Sequence, residues 1–394
     1  MRRLFILVAA VILVDTMFYA AIVPLLPGYR DELELSKSAT GILSASYAAG
    51  TLLAALPSGF LAAKIGVRPT MLAGLGLLSC SSLVFAFADS VALLDAARFA
   101  QGVGGACAWT GGLAWLLAAG PPERRGELVG SVLAVAIAGL LLGPVIGGIA
   151  TEVGPEPVFA VVAGIGACLA AWVLMTPGAA TSPMPGLRRV TAAIFTAPVL
   201  FAFWLVALPS ILAGFVDVLA PLRLDELGAS GLVVGAVFLI AAAIEATLSP
   251  TIGRFSDRRG RVLPIRAGLV ASALVAVTPA LPGSVFWLGV TVVVVFLAMC
   301  LIWTPAMALL SDDAEAAGLD LAFASALVSL SWAGGQVIGG SVIVAVADAA
   351  SDAIAYAIVA LMFVATSVAV AMRPTRRRPT LRSKTSGGRS ARVR

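Results

Sequence analysis

The sequence predicts an all-α membrane protein with twelve transmembrane helices, and three observations support this fold class. Of the 394 residues, 60% are apolar and only 12% are charged, which is about half the charged share of an average soluble protein. Apolar stretches of about 20 residues, long enough to cross roughly 30 Å of hydrocarbon, recur along the chain. The mean hydropathy is +1.04. Because a soluble core cannot bury this much apolar surface, the composition excludes a soluble enzyme, a disordered chain and a nucleic-acid-binding domain.

Each apolar stretch predicts one span, and polar, glycine-rich or proline-rich turns separate neighbouring spans. The first stretch is too long for a cleaved signal peptide, so we expect it to remain as a membrane helix. The predicted spans are residues 4–26, 38–62, 70–88, 91–118, 128–150, 157–176, 193–219, 231–252, 263–282, 285–310, 320–347 and 352–372.

The distribution of basic residues predicts the orientation. The loops that this topology places opposite the termini hold only Arg30, Lys37 and Arg223, and Arg98 lies within a span. All other Lys and Arg residues fall on the side that carries both termini. Because cytoplasmic loops carry the excess of basic residues, we expect a multi-pass plasma-membrane protein with both termini in the cytoplasm.

One internal linker divides the chain. Residues 177–192 are rich in proline, glycine and polar residues, so we predict an N-terminal six-helix bundle at 1–176 and a C-terminal one at 193–372. The tail at 373–394 is strongly basic and lacks apolar periodicity. We predict that it is a disordered cytoplasmic segment held against anionic lipid.

The two predicted bundles repeat each other in sequence. Residues 41–68 align with 235–261, and residues 125–148 align with 317–340. The tripeptide WTG at 109–111 meets WTP at 303–305 in the same register. A parallel duplication of six spans implies two pseudo-symmetric bundles, a substrate cavity between them near the midplane, and alternating access by rocking of the halves.

Two copies of a loop motif follow the second and eighth spans, as GFLAAKIGVR (59–68) and GRFSDRRGR (253–261). Both resemble the cytoplasmic loop signature of the major facilitator superfamily, and this implies that superfamily's twelve-helix fold. The first copy departs from the signature, because Ala63 stands at its acidic position and Val67 stands where an arginine is usual. The residues with an implied conformational role are Gly59, Lys64, Gly66, Arg68, Gly253, Asp257, Arg258, Gly260 and Arg261.

The segment RFAQGVGGA (98–106) resembles the fourth-helix motif of the same superfamily. The resemblance implies that Arg98 and Gln101 assist proton transfer or bind substrate. An unpaired guanidinium within a span is costly, which favours a functional role. The alternative is an arginine near the outer end of its span that snorkels or pairs with Asp95.

The segment GLLLGPVIGG (139–148) resembles the fifth-helix signature of drug:proton antiporters. Helix packing alone would explain a GxxxG pair, but it does not explain Gly-Pro followed by Gly-Gly. The resemblance implies export and not import, through a helix bent at its proline. The residues that carry it are Gly139, Gly143, Pro144, Gly147 and Gly148.

The segment VDTMFYAAIVPLLP (14–27) resembles the first helix of that antiporter group and of vesicular amine transporters. Asp15 lies at the midpoint of its span, where an ionised carboxylate costs about 2.5–3.5 kcal/mol. It must therefore be neutral, paired or hydrated. We predict a proton-coupling or cation-binding site there, and the alternative is a protonated Asp15 that only joins two helices.

Other intramembrane residues extend this candidate site. Glu245 in the eighth span follows the same logic as Asp15, whereas Asp217 is either a second acidic site or a solvated residue near the outer end of its span. Tyr19, Trp109 and Trp303 are aromatic candidates for cation binding. Aromatic residues in a membrane bundle more often only pack, and Tyr19 is the best exception because it follows Asp15 by one helical turn.

No catalytic residue, metal site or cofactor is predicted. The chain has no His, its four cysteines occur singly, and no nucleotide-binding glycine loop is present. We expect a proton-coupled exporter of small amphipathic or cationic molecules. Its expected partners are the substrate, protons and the bilayer, without nucleic acid, and it is expected to be a monomer. The alternatives are an exporter or importer of a sugar or other metabolite and, more remotely, a transporter-like membrane sensor.

Overall fold

The computed structural model describes residues 2–121, 125–178, 187–319 and 321–372, and these ranges contain helices and connecting turns but no strand. Twelve helices are long and apolar enough to cross a membrane, as predicted. We label these α1 to α12. They are Arg2–Glu32, Lys37–Ile65, Val67–Ala86, Val91–Ala119, Leu128–Val153, Pro155–Met175, Ala197–Glu226, Gly231–Arg259, Val262–Ala280, Val285–Ala316, Phe323–Ala349 and Asp352–Met372.

The start of the seventh span differs from the prediction. We expected it to run over 193–219, but a short separate helix, Leu187–Ile194, precedes α7. The spanning helix then begins at Ala197, where Thr196 is the N-cap and a proline occupies the first turn. Proline is well tolerated in the first turn because its missing N–H needs no partner there. Of the predicted linker 177–192, residues 179–186 lie outside the described residues, as does the tail 373–394.

Two spanning helices depart from regular α geometry. In α1, a 3-10 turn at Val23–Leu25 contains Pro24 of the P-x-x-P ending. In α11, residues Ile338–Ile343 form a π-helical segment around two glycines. Such segments often mark functional sites, because they re-aim the side chains that follow them.

The first six helices meet the last six at one end of the molecule. We call this end the distal face; it carries the turns after α1 and α7 and lies opposite the terminal face, where α1 begins. Lys37 Nζ lies 2.7 Å from Asp352 Oδ1, and Arg30 pairs with Glu226 at 3.3 Å. Ser38 donates to Asp348 from its hydroxyl at 2.6 Å and its backbone N–H at 3.1 Å.

Glycines allow the two sets of helices to pack closely near the distal face. A Cβ at Gly41 of α2 would clash with the carbonyl oxygen of Gly340, and one at Gly235 of α8 would lie 2.5 Å from the carbonyl oxygen of Pro144. Gly130, near the terminal-face end of α5, is exposed, and a Cβ there would meet no atom within 4 Å. The two sets of helices are therefore in close contact at Gly41 and Gly235.

The turns of the repeated loop motif also need glycine. Gly66 and Gly260 end α2 and α8 with φ values of +102° and +89°. These left-handed conformations are strained for residues with a Cβ. The sequence motif and the local geometry agree at both positions.

Candidate functional site

Asp15 is the centre of the candidate site. Its side chain lies in the middle of α1 and is 2% exposed. The hydroxyl of Tyr47 in α2 donates to Asp15 Oδ1 at 2.7 Å, and the indole N–H of Trp109 in α4 donates to Oδ2 at 2.8 Å. Gly105 makes room for the carboxyl, because a Cβ there would lie 2.6 Å from Asp15 Oδ1. We call Asp15, Tyr47 and Trp109 the acid site.

The donors of the acid site are both uncharged, and they differ chemically. An indole N–H can only donate, so Trp109 keeps Asp15 Oδ2 as an acceptor in either protonation state. A hydroxyl can donate or accept. A proton on Asp15 Oδ1 therefore requires only that the Tyr47 hydroxyl rotates and accepts from it. The geometry accommodates both the ionised and the neutral carboxyl without moving a helix.

Arg98 lies beside the acid site and is 1% exposed. Its guanidinium donates to the carbonyl oxygens of Phe18 at 3.4 Å and Tyr19 at 3.2 Å, and to Gln101 Oε1 at 3.1 Å. Its Cζ also lies 5.1 Å from the centre of the Tyr47 ring. The guanidinium thus crosses from α4 to the backbone of α1, which carries Asp15.

The alternative reading of Arg98 was wrong. The side chain neither snorkels to the surface nor pairs with Asp95, whose buried Oδ1 has no hydrogen-bond partner among the described residues. Backbone carbonyls replace a carboxylate as its partners because α1 packs against α4 at this level. Gln101, the other predicted residue of the motif, extends the network by donating to Ser82 Oγ at 3.4 Å.

Tyr19 connects the acid site to the second half. Its ring centre lies 5.2 Å from that of Tyr47 and 5.0 Å from that of Trp332 in α11, with the latter pair edge to face. Tyr19 and Trp332 are both partly exposed. Tyr19 was predicted as a neighbour of Asp15. The structure connects the two residues through Tyr47, whose ring contacts Tyr19 and whose hydroxyl donates to Asp15.

The second half contributes acidic residues with fewer partners. Asp217 lies within α7, nine residues before the helix ends at Glu226, and is partly exposed. It accepts a hydrogen bond from the Gln336 side chain of α11, so it is a second acidic site and not a residue free at the helix end. Glu245 in α8 is partly exposed, and its backbone carbonyl oxygen lies 4.0 Å from Cys300 Sγ. The buried Nε1 of Trp303 has no hydrogen-bond partner within the described ranges.

Three residues of this region were not among the predicted site residues. Tyr47 was missed because its segment, GILSASYAAG (41–50), looks like a helix-packing stripe. Gln336 stands at the position of Pro144 in the sequence repeat. A polar amide side chain among the glycines of this helix could have indicated a functional residue. Trp332 was one aromatic among several, and only its edge-to-face contact with Tyr19 distinguishes it.

The fifth-helix signature packs against the helix that carries Asp15. A Cβ at Gly139 would clash with Thr16, one at Gly143 with Ala20, and one at Gly147 with the carbonyl of Ala21. Pro144 and Gly148 of the same motif face α8, where the Pro144 carbonyl approaches Gly235 and Gly148 approaches Leu232. The motif thus lies between the acid-site helix and the second half.

The residues of the two loop motifs differ in the contacts that they form. Arg261 pairs with Asp312 of α10 at 2.6 Å, and Arg68 donates to the carbonyl of Leu174 in α6. Lys64, Asp257 and Arg258 are exposed. Gly253 leaves space, since the nearest atom to a Cβ there is 3.7 Å away on Thr304. In the part of the chain that the structure describes, no cluster of three or more His, Cys, Asp or Glu side chains is placed to hold a metal ion.

Comparison with known proteins identifies the family. The sequence profile described as Major Facilitator Superfamily matches residues 8–333 and 219–393. In structure, the chain is similar to a D-xylose–proton symporter, with a TM-score of 0.75, 16% identity, and coverage of 93% of this chain and 96% of that one. At this identity the likeness shows the fold alone.

Two relatives agree with the antiporter resemblance. The chain is 36% identical over 184 residues to the probable vesicular acetylcholine transporter-B of Danio rerio, covering 44% of this chain and 37% of that one. It is 30% identical over 132 residues to the quinolone resistance protein NorA of Staphylococcus aureus, covering 34% of each chain. The chain spans about a third of the length of the curated relatives it matches. With its twelve spanning helices and its matching profile, the chain belongs to the major facilitator superfamily.

Proposed function

We propose that this transporter is a proton-coupled exporter of small amphipathic or cationic molecules. The observation that carries the proposal is the acid site, a mid-membrane carboxyl whose two donors tolerate both of its protonation states. A buried carboxyl that only joined helices would need no partner able to reverse its hydrogen bond. Tyr47 is such a partner, at 2.7 Å.

Proton and substrate are coupled through α1 in this mechanism. When Asp15 is ionised, its charge is attracted to the buried guanidinium of Arg98, which also holds the Phe18 and Tyr19 carbonyls of α1. Protonation removes that attraction and leaves Arg98 bound to neutral carbonyls only. Because the position of α1 sets its contact with α5, the protonation state biases how the halves pack.

The second half supplies most of the proposed substrate contacts, and Tyr19 of the first half completes them. Asp217 and Glu245 attract a cation, and the partly exposed rings of Tyr19 and Trp332 offer apolar and cation–π surface beside them. An amphipathic cation placed there lies next to the acid site without competing for its hydrogen bonds. In this proposal the Tyr19 ring, which contacts both Tyr47 and Trp332, lies between the acid site and the substrate.

The closed distal face indicates one state of the alternating-access cycle. Lys37–Asp352, Arg30–Glu226 and Ser38–Asp348 join the two halves at that face. With both termini in the cytoplasm of a plasma-membrane protein, this is the state that loads cytoplasmic substrate.

The test is transport by purified full-length protein in liposomes with an imposed pH gradient. Ethidium serves as the cationic probe, and a trapped pH dye reports proton movement. We expect the wild type to move ethidium against its gradient and protons in the opposite direction. Asp15→Asn should lower this uphill transport about 100-fold or more, as loss of a proton-transferring group does, while downhill ethidium exchange persists.

Asp95→Asn is the matched control, because Asp95 is also an intramembrane aspartate but lies outside the acid site. We expect it to retain uphill transport. Full uphill export by Asp15→Asn contradicts the coupling role. Proton-coupled uptake of a sugar or other metabolite, without ethidium transport, supports the alternative substrate class.

A further inference from the structure

A groove outside the central region opens between α8, α9 and α10. It has a volume of about 320 Å³ and is lined mainly by Ile252, Phe255, Leu263, Ala267 and Leu301. Phe255 is 40% exposed and Leu263 is 51% exposed, so the groove is open to the surroundings of the helices. Because the surroundings of a spanning helix are lipid, this groove faces acyl chains.

Arginines stand at the end of the groove that lies near the terminal face. Arg258 and Arg259 occupy the last two positions of α8, are exposed, and form no ion pair with any part of the chain that the structure describes. The Cζ atom of Arg259 lies 5.8 Å from the centre of the Phe255 ring, which forms a wall of the groove. Asp257 is the adjacent acid, and it leaves a net positive charge on this turn.

The depth of the groove fits one lipid chain beneath a headgroup. At 1.5 Å per residue, Phe255 lies about 6 Å and Thr251 about 12 Å from the level of Arg259. An acyl chain seated against these residues would place its phosphate at the level of the arginines. Basic residues at the end of a spanning helix are the usual partners of anionic headgroups.

The first half differs at several of the equivalent positions. In the register of the repeat, Ser58 replaces Ile252 and Cys107 replaces Leu301, so the walls are smaller and more polar. Ser58 is also buried in a hydrogen bond with Thr110 at 2.8 Å. Lys64 replaces Arg258 and Ile65 replaces Arg259, so only one of the two basic residues is present there. The combination of apolar walls with two adjacent arginines is therefore found in the second half.

We propose that this groove binds one acyl chain of an anionic phospholipid, whose phosphate contacts Arg258 and Arg259. The site is separate from the acid site and serves a lipid, not the transported substrate. Its ligand must carry both a negative headgroup and an acyl chain. The proposal does not depend on the direction of transport or on proton coupling.

The test is lipid binding by delipidated full-length protein in detergent, followed by native mass spectrometry. The probes are phosphatidylglycerol, phosphatidylcholine and inorganic phosphate. We expect retained phosphatidylglycerol, weaker phosphatidylcholine and no phosphate adduct. Arg258→Ala and Arg259→Ala should each weaken phosphatidylglycerol binding about fivefold.

The groove itself is tested by Ala267→Phe, which fills it. Ala73→Phe is the matched control, because Ala73 is the exposed equivalent position in α3. We expect Ala267→Phe to reduce phosphatidylglycerol binding at least about fivefold and Ala73→Phe to leave it unchanged, with similar melting temperatures for both. Unchanged binding by Ala267→Phe, equal loss in Ala73→Phe, or binding of phosphate alone overturns the proposal.

Discussion

The two halves of the chain each have a tryptophan at the same position of the repeat, but only one of the two indole N–H groups has a hydrogen-bond partner among the described residues. Trp109 and Trp303 occupy equivalent positions of the sequence repeat. The indole N–H of Trp109 donates to Asp15 at 2.8 Å, whereas that of Trp303 is buried without a partner among the described residues. In the same register, Pro209 falls at the position of Asp15 and Ala241 at that of Tyr47.

In the proposed mechanism the two halves have different roles. The first half has a carboxyl with a hydrogen-bond donor on each oxygen, which suits a group that exchanges protons in a fixed geometry. The second half has no carboxyl at that position, and its acids lie elsewhere, at Asp217 and Glu245. Glu245 is partly exposed, which suits contact with a substrate that enters and leaves.

The largest effect is expected at a feature that the two halves share, a glycine at which two helices pack closely. Gly143 packs α5 against α1, and its equivalent, Gly335, packs α11 against α7, where a Cβ would lie 2.5 Å from the Ala207 carbonyl oxygen. Gly143→Leu and Gly335→Leu should each destabilise the fold by about 3 kcal/mol or more and abolish transport, because the helices must separate. Gly130→Leu, in open space, should have little effect on melting temperature or transport. A harmless Gly143→Leu would show that this close helix contact is dispensable.

The tryptophan pair tests the comparison directly. Trp109→Phe and Trp303→Phe remove similar volumes, but only the first removes a hydrogen bond to a buried carboxyl. We expect Trp109→Phe to be the more destabilising by about 1.5–3 kcal/mol, the contribution of a hydrogen bond to a charged group. Thermal unfolding in detergent micelles gives the difference. Equal losses would mean that the two indoles have equivalent surroundings.

Glu245→Gln tests whether the second half binds substrate while the first half couples protons. Because Glu245 contacts the substrate in the proposed mechanism, its loss should raise KM for a cationic substrate about tenfold, equivalent to about 1.4 kcal/mol. The number of protons moved per substrate should stay unchanged. Asp15→Asn should show the reverse pattern, and the same liposome assay measures both. A changed proton ratio in Glu245→Gln would place coupling in the second half.

The smallest expected effect concerns the contact between the halves. Lys37→Met removes the pair with Asp352, whose side chains are 25% and 35% exposed. Partly exposed ion pairs contribute only about 0–1 kcal/mol, so the population with an open distal face should rise at most about fivefold. Spin labels at Asp31 and Ala350 measure this opening. Lys64→Met, at an exposed residue of the terminal face, is the control and should not change the distance distribution.

Much of this architecture could be predicted from the sequence because it depends on local composition. Apolar stretches of fixed length define the spans, and the repeat of glycines such as Gly66 and Gly260 defines the duplication and its turns. The cost of a charge in hydrocarbon was enough to single out Asp15, Arg98 and Glu245. These properties follow from the identity and position of each residue, without knowledge of its neighbours in space.

Only the tertiary structure decided which groups these residues meet. Asp15 binds Tyr47 and Trp109, which lie 32 and 94 residues away along the chain, and Arg98 binds carbonyls of α1 in place of Asp95. The contacts of the distal face join residues such as Lys37 and Asp352, which are 315 positions apart. Such pairs depend on how helices pack and rotate against each other, and the spacing of residues within one helix carries no record of that packing.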